Sequence, residues 1–458
     1  MANTKLTRTP GGSGSNTTWT FSCWFKKTSI GADTVPWATG YTSPQIDEAM
    51  VNIGADDQLR FNIAINDSTD VTVKSKRKLR DTTAWYHIVV ACDTTQATDS
   101  NRVKFYINGE LETVFENTDY PTQGQSTFFG DSNKTHQIGI QPRTSNYLQG
   151  ELSHVAFVDG QQLAPTVFGE TDSTSGIWKW KDITGVTWGT NGFYLKFENS
   201  AALGTDSSGQ SNTFTVAGSA TRNIDNPSVN YNTLNGVSNP SSGYTLSNAN
   251  TECTVSGQSF VRTFIANTLC PESGKWYWES KLVTSGASDR TSLGICSTEE
   301  NIGTGTTIPQ NECSICTGYS RIRFTVAGSV TEVDSFYTVP SAGDIFMYAL
   351  DLDNTKFYFG VNGNWWNYNS AQTGGNPTSG SGYVTNNASI IHGAMSLFIR
   401  TQAGASATTF TNQFNFGNGF FGTTAITSAG SNGNGSLFEY DVPSGYYGLN
   451  TKNINTYG

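Results

Sequence analysis

Bulky and small or polar residues alternate along Trp19-Thr-Phe-Ser-Cys-Trp-Phe25, the period of two that turns one side of an extended strand toward a core. Val51-Asn-Ile53 and Leu59-Arg-Phe-Asn-Ile-Ala-Ile65 repeat the pattern with polar turns between them. Trp85-Tyr-His-Ile-Val-Val-Ala91 is a more continuous apolar run and predicts a central strand covered on both faces. Val103-Lys-Phe-Tyr-Ile107 then runs into Asn108-Gly109 and Glu110-Leu-Glu-Thr-Val-Phe115, a hairpin signature, because Asn-Gly accepts the positive φ angles of a tight turn. Gln137-Ile-Gly-Ile140 and Leu148-Gln-Gly-Glu-Leu-Ser-His-Val-Ala-Phe-Val-Asp159 close the series. Apolar residues hardly recur at helical spacing. The exception is Gln162-Leu-Ala-Pro-Thr-Val-Phe168, where Pro165 is placed to open one short helix. The expectation for this half is an antiparallel double-sheet sandwich.

A stretch rich in Asn, Ser, Gly and Pro, residues 223–243, marks a boundary. Beyond it the strand pattern resumes in Gly274-Lys-Trp-Tyr-Trp-Glu-Ser-Lys-Leu-Val283, Thr291-Ser-Leu-Gly-Ile295 and Asp344-Ile-Phe-Met-Tyr-Ala-Leu350. A second hairpin follows, with Leu352, Phe357 and Phe359 in period two and its turn at Asn362-Gly363, before Trp365 and Trp366. Gln413-Phe-Asn-Phe-Gly417 is the last strand. The expected fold class is all-β: a sandwich over 1–222, a linker over 223–243, a second sandwich over 244–428 and a short C-terminal module over 429–458.

Composition agrees with short strands and many turns. Of 458 residues only 14% are charged, 48 are Gly and 12% are aromatic. The formal net charge of -10 repels a phosphate backbone, so nucleic acid is not an expected partner. The basic run Lys74-Ser-Lys-Arg-Lys-Leu-Arg80 reads as a solvated sheet edge guarded by lysines. The cysteines, 7 in all, are an odd number without regular spacing and read as buried thiols; Cys313-Ser-Ile-Cys316 lacks the second pair or the histidines a zinc site needs. The opening residues hold no apolar signal run, and no stretch is long enough to span a bilayer, so the expectation is synthesis in a reducing cytoplasm without membrane insertion.

The order Trp19-Thr-Phe-Ser-Cys-Trp-Phe, Trp85-Tyr-His-Ile-Val-Val, Phe105-Tyr-Ile-Asn-Gly-Glu and Leu148-Gln-Gly-Glu-Leu-Ser-His-Val-Ala-Phe resembles laminin-G-like domains of the concanavalin-A-like lectin/glucanase superfamily, over residues 1 to about 220. That resemblance implies a jelly-roll sandwich. Gly274-Lys-Trp-Tyr-Trp-Glu, Leu293-Gly-Ile, Ala349-Leu-Asp-Leu-Asp, Phe357-Tyr-Phe-Gly-Val-Asn-Gly-Asn-Trp and Phe414-Asn-Phe-Gly resemble a SPRY domain, roughly over 244–425. This implies a second sandwich that binds proteins through loops at one end. The ending Leu437-Phe-Glu-Tyr-Asp-Val-Pro-Ser-Gly-Tyr-Tyr-Gly-Leu-Asn-Thr-Lys-Asn453 and the opening Leu6-Thr-Arg-Thr-Pro-Gly are similar to those of tailed-bacteriophage virion proteins. The combination implies a tail fibre, appendage or capsid decoration in the virion, anchored to other virion proteins, contacting host surface polysaccharide and assembled as a homo-oligomer. The alternative is a free, calcium-dependent carbohydrate-binding lectin.

Candidate chemistry is sparse. Hydrolases of the lectin/glucanase superfamily carry Glu-x-Asp-x-(x)-Glu, and only Glu332-Val-Asp334 approaches it, in the other half and without a second Glu. His87, His136, His154 and His392 are scattered, and no Gly-x-Ser-x-Gly elbow, phosphate loop or His-Glu-x-x-His pair exists. No enzyme is expected. Sugar sites stack aromatic rings on the sugar face and use Asn or Asp for its hydroxyls, which Trp365, Trp366 and Tyr368, and Trp178, Trp180 and Trp188, could supply. Neighbouring strand residues point oppositely, so one of the Trp pair enters the core; Trp366 is taken as the surface ring, and Asn364, Trp366 and Tyr368 as the contact site. Asp206 with Ser207, Gln210 and Asn212, or Asp131 with Asn133, offers oxygens of the kind calcium takes; the same residues suit a polar turn, and no metal is assigned.

Overall fold

The computed structural model describes residues 4–458 except 43–44, 67, 143–145, 238–243, 256–261, 266–267, 285–290, 301–308, 318–319, 334–337, 369–372 and 402–408. The chain forms two compact units: residues 1–222 with 226–228, and residues 223–225 with 229–458. Both are antiparallel β-sandwiches, as the alternation predicts.

In the first unit an eight-stranded sheet faces a six-stranded one. The strand Thr18–Lys27 lies in the six-stranded sheet between Gly150–Asp159 and Trp85–Asp93. Its alternate residues Trp19, Phe21, Cys23 and Phe25 are fully buried in the core. They meet Trp37, Val51, Phe61 and Val73 of the opposite sheet. The Trp37 ring stacks on Phe21 at 4.7 Å and on Phe129 at 3.6 Å. Each such ring contributes about 1.5–3 kcal/mol on leaving water. The strand Trp85–Asp93 is covered on its other face too: Val89, Ala156, Val158, Phe168 and Tyr194 form a second cluster beneath the segment that carries Leu163, Ile183 and Trp188. The short helix expected near Pro165 is a single 3-10 turn, Pro165–Val167.

Two expectations for this unit are corrected. The partner of Val103–Ile107 ends after Glu110–Leu111, because the chain then crosses to the other sheet as the strand Phe115–Asp119. The basic run is not an edge: its strand Ser68–Lys78 lies between Gln58–Ile65 and Phe115–Asp119. Acids pair with its cations, Lys74 with Asp56 and Glu116 at 2.7 Å, Arg77 with Glu112 at 2.7 Å, and Arg80 with Asp57 at 2.9 Å.

The second unit repeats the plan. The strand Lys275–Thr284 lies between Phe410–Asn415 and Ile345–Asp351, sending Trp276, Trp278 and Leu282 into the core and Tyr277 and Glu279 to the outer face. Residues 429–458 are not a separate module. Phe438, Val442 and Tyr446 pack on Tyr277, Met347, Ala349 and Tyr358, and Tyr447–Gly448 pairs in parallel with Trp276 and Tyr277. The chain ends in a helix the strand pattern did not predict, Thr451–Tyr457, capped by the Asn450 side chain. The described part of 223–243 is also built in: Tyr231 and Leu234 are buried, and Asn232 donates its backbone N–H to Leu449.

The two Asn-Gly turns share one device. Asn108 and Asn362 adopt φ of 50° and 49°, and each side-chain oxygen accepts the backbone N–H of the next strand over, His87 and Ile345, at 2.8 and 2.9 Å. Their own amides return the bond to the same two residues. Asparagine therefore serves as both turn former and inter-strand bridge.

Candidate binding surfaces

In the second unit the hairpin Lys356–Val361 and Asn364–Trp365 carries the predicted contact residues. Asn364 is exposed at its tip, and its side chain donates to the Asn362 carbonyl at 3.3 Å. Trp366 is corrected to the core: it is 7% exposed, and its ring lies 4.4 Å from Phe359 within the main cluster. The alternation rule held, but the backbone bond from Trp366 to the Phe359 carbonyl turns this residue inward. Trp365 takes the outer face, where it packs edge-on against Tyr277. Tyr368 is 38% exposed and stands edge-on to Phe324 at 5.5 Å. Asn364 and Tyr368 remain surface residues; Trp366 cannot reach a ligand without unfolding the hairpin.

In the first unit the hairpin Gly169–Thr171 and Trp178–Trp180 lays tryptophans on the outer face of the six-stranded sheet. Trp178 stacks on His87 and donates its indole N–H to His87 Nδ1 at 2.9 Å. Trp180 stacks on His154 at 4.4 Å, and Trp188 stacks on Tyr194 at 5.8 Å. All three rings are half-buried, held on one side and open in part on the other. At the hairpin's tip Ile177 is 65% exposed. Gly109 permits this arrangement, since a Cβ there would lie 2.4 Å from the Trp178 ring.

The calcium candidates are occupied by hydrogen-bond donors. Asp206 accepts the backbone N–H of Tyr194 and Ser208 on one oxygen and the Ser208 hydroxyl and Asn212 N–H on the other, at 2.8–2.9 Å. The Asn212 side-chain oxygen accepts from the Arg8 guanidinium, and its amide donates to the carbonyls of Thr190 and Gly192. Calcium requires six to eight oxygens with free lone pairs. These residues instead knit the strand Phe193–Leu195 to the loop after it. The Asp131 carboxylate likewise accepts from the Asn16 side chain. Among the described residues no cluster of His, Cys, Asp and Glu is arranged to hold a metal.

His87, His136 and His154 are structural. Because an indole N–H only donates, His87 Nδ1 is the acceptor and Nε2 carries the proton that goes to Ser22 Oγ, at 2.9 Å. A general base needs the opposite tautomer, so Ser22 and His87 are not a nucleophile and base. Burial pushes His87 down to about 3. Burial and the nearby Arg8 charge take His136 to about 3, with a bond to the Phe129 carbonyl, and burial takes His154 to about 4. Cys313 and Cys316 point to opposite faces of one strand, and burial raises both thiols. Glu332 is paired with Arg321 at 2.6 Å and Arg323 at 3.6 Å, while Asp334 lies outside the described residues.

Two buried charge sites escape pattern reading. Glu279 is fully buried and accepts hydrogen bonds from the Tyr277 hydroxyl and from the backbone amides of Glu439 and Tyr440, at 2.8, 2.9 and 2.9 Å. Its only sequence signal is a charge inside the apolar run Trp276-Tyr-Trp-Glu279. On the other sheet Glu312 is buried between Arg400, which it pairs with through both oxygens, and Arg323 at 3.2 Å. Ser292 and Ser314 accept from Arg400, and Thr325 donates to Glu312. Strand alternation places Glu312, Arg323 and Arg400 on one face, but their cross-strand registry comes only from the fold.

Residues 2–167 match a family described as the concanavalin A-like lectin/glucanases superfamily. The match supports a laminin-G-like first domain. No curated protein matches the chain. Among solved structures, domains LG4-5 of the mouse laminin alpha1 chain are similar with a TM-score of 0.29 and 11% identity, covering 89% of this chain and 92% of that one. The SPRY domain of human HERC1 is similar at 0.27 and 11%, covering 37% and 91%. A heptameric SAP-like pentraxin from Limulus polyphemus is similar at 0.25 and 18%, covering 35% and 71%.

Proposed function

We propose that this chain is a non-enzymatic binding protein displayed on a tailed-phage particle, as a tail fibre, appendage or capsid decoration. It would be made in the host cytoplasm, anchored to other virion proteins and assembled as a homo-oligomer, so that weak contacts to host surface polysaccharide add up over many copies. The glycan contact rests on one observation: the hairpin that sets Trp178 and Trp180 half-open on the outer face of the first sandwich. Indole rings held by stacking offer a sugar a flat apolar surface at little entropic cost. Asn364 and Tyr368, each exposed on the other unit, are further candidate contacts. Binding would be independent of calcium, because donors occupy the Asp206 and Asn212 oxygens.

A glycan array probed with the full chain, with and without EDTA, tests the reading. Binding that survives EDTA and falls at least tenfold in Trp180→Ala supports it. Absence of binding under both conditions removes the glycan contact, and binding abolished by EDTA favours the calcium-dependent lectin.

A further inference from the structure

The outer face of the strand Lys275–Thr284 is roofed by the chain's own residues 437–449, held at one end by the Leu437 carbonyl on the Asn415 amide, at the other by the pairing of Tyr447–Gly448 with Trp276 and Tyr277, and between these ends at one carboxyl group. Glu279 sits in a cross-strand row with Asn415 on one side and Met347 on the other. Above the row lie Phe438, Val442 and Tyr446, which pack on Tyr277, Met347, Ala349 and Tyr358, with the Lys275 ammonium over the Tyr446 ring at 5.7 Å. Backbone amides of Glu439 and Tyr440 converge on the two carboxyl oxygens, and the Asn415 amide reaches one of them at 3.4 Å.

The charged groups around Glu279 do not compensate it. On its own strand, Tyr277 shares a hydrogen bond with it, and Lys281 directs its ammonium over the Phe421 ring at 6.0 Å. On the neighbouring strands Asn415 and Met347 are neutral. The roof itself adds Glu439 and Asp441, which accept the backbone amides of Thr427 and Ser431, and the phenol of Tyr440. Lys275, farther along the strand, is paired with Asp351 at 2.9 Å. Among the described residues no cation pairs with Glu279.

We propose that Glu279 is a proton-operated latch for the 437–449 strap: the strap is docked most tightly while the carboxyl is protonated and loosens when the proton leaves. The Tyr277 hydroxyl donates to the carboxylate and so favours the charged form. Burial lifts the carboxyl from 4.5 to about 7; the two amides and the Tyr277 hydroxyl pull it down, and the Glu439 charge pushes it up. Lifting the strap returns the carboxyl to water and to its ordinary value. The docked state therefore binds the proton more tightly than the open one. Docking is strongest below pH 4.5, weakens as pH rises from 4.5 to about 7, and levels off above. The opened population grows across that window by roughly two orders of magnitude.

Hydrogen exchange on the full chain reads this directly at the amides of Glu439 and Tyr440. Their protection, corrected for intrinsic exchange, is expected to fall about 100-fold between pH 5 and pH 8. In Glu279→Gln it is expected to stay constant. PH-independent protection in the native chain overturns the latch, and so does an unchanged pH dependence in Glu279→Gln. If that variant does not fold, Tyr277→Phe serves: losing a hydroxyl that favours the charged carboxylate must move the transition to higher pH, and an unmoved midpoint overturns the proposal.

Discussion

The Glu279 carboxyl accepts the backbone N–H of Tyr440 at 2.9 Å, joining residues 161 positions apart in the chain. The C-terminal residues thus complete the second sandwich. Ending the chain at Ser436 strips Phe438, Val442 and Tyr446 from the sheet, each contributing about 1.5–3 kcal/mol, and removes the two backbone amides that donate to Glu279. Chemical denaturation is expected to show the second unit losing at least about 4 kcal/mol, with the first unit's transition unmoved.

Trp366 and Tyr368 are separable by stability. Trp366→Ala opens a cavity beside Phe359 and is expected to cost about 3–5 kcal/mol. Tyr368→Ala, at a partly exposed ring, is expected to cost under about 1.5 kcal/mol. Equal losses in denaturant titrations would contradict the placement of Trp366 in the core.

The strand alternation made the fold class legible. Trp19, Phe21, Cys23 and Phe25 all lie in the core, and both Asn-Gly turns form where the dipeptides stand. Trp366 shows where the pattern runs out: a period of two separates the faces of a hairpin but does not say which face meets the other sheet. The basic run misled for a related reason, since the acids that cover it come from Asp56, Asp57, Glu112 and Glu116, which pairing alone brings close. Asp206 and Asn212 had suitable oxygens, but their partners are main-chain amides and Arg8, which composition cannot reveal. The Trp178–Trp180 surface was visible only as aromatic residues, without His87 and His154 beneath them.

The Glu312 site predicts an asymmetry. Glu312→Ala leaves Arg400 buried without a counter-charge and Arg323 with only the more distant Glu332, and is expected to destabilise the second unit by about 3–5 kcal/mol. Because the group is fully buried, 0.5 M salt should change this cost little. A loss that salt largely screens would place the network at the surface.

The two units should respond oppositely to acid. His87, His136 and His154 in the first unit are held below their ordinary value of 6.5, at about 3, 3 and 4. Each favours the fold fully above pH 6.5 and withdraws that support as pH falls toward its folded value. Acidification from pH 6.5 to 4 is therefore expected to weaken the first unit, while protonation of Glu279 strengthens the second over pH 7 to 4.5. Unit-resolved denaturation by hydrogen exchange at pH 7.5, 6 and 4.5 checks the two signs.

The most direct test of the account compares phage particles with and without this chain, by negative-stain imaging and by adsorption to the host. Loss of a surface feature together with reduced adsorption is the predicted result. Particles that look the same and adsorb equally well would contradict the account.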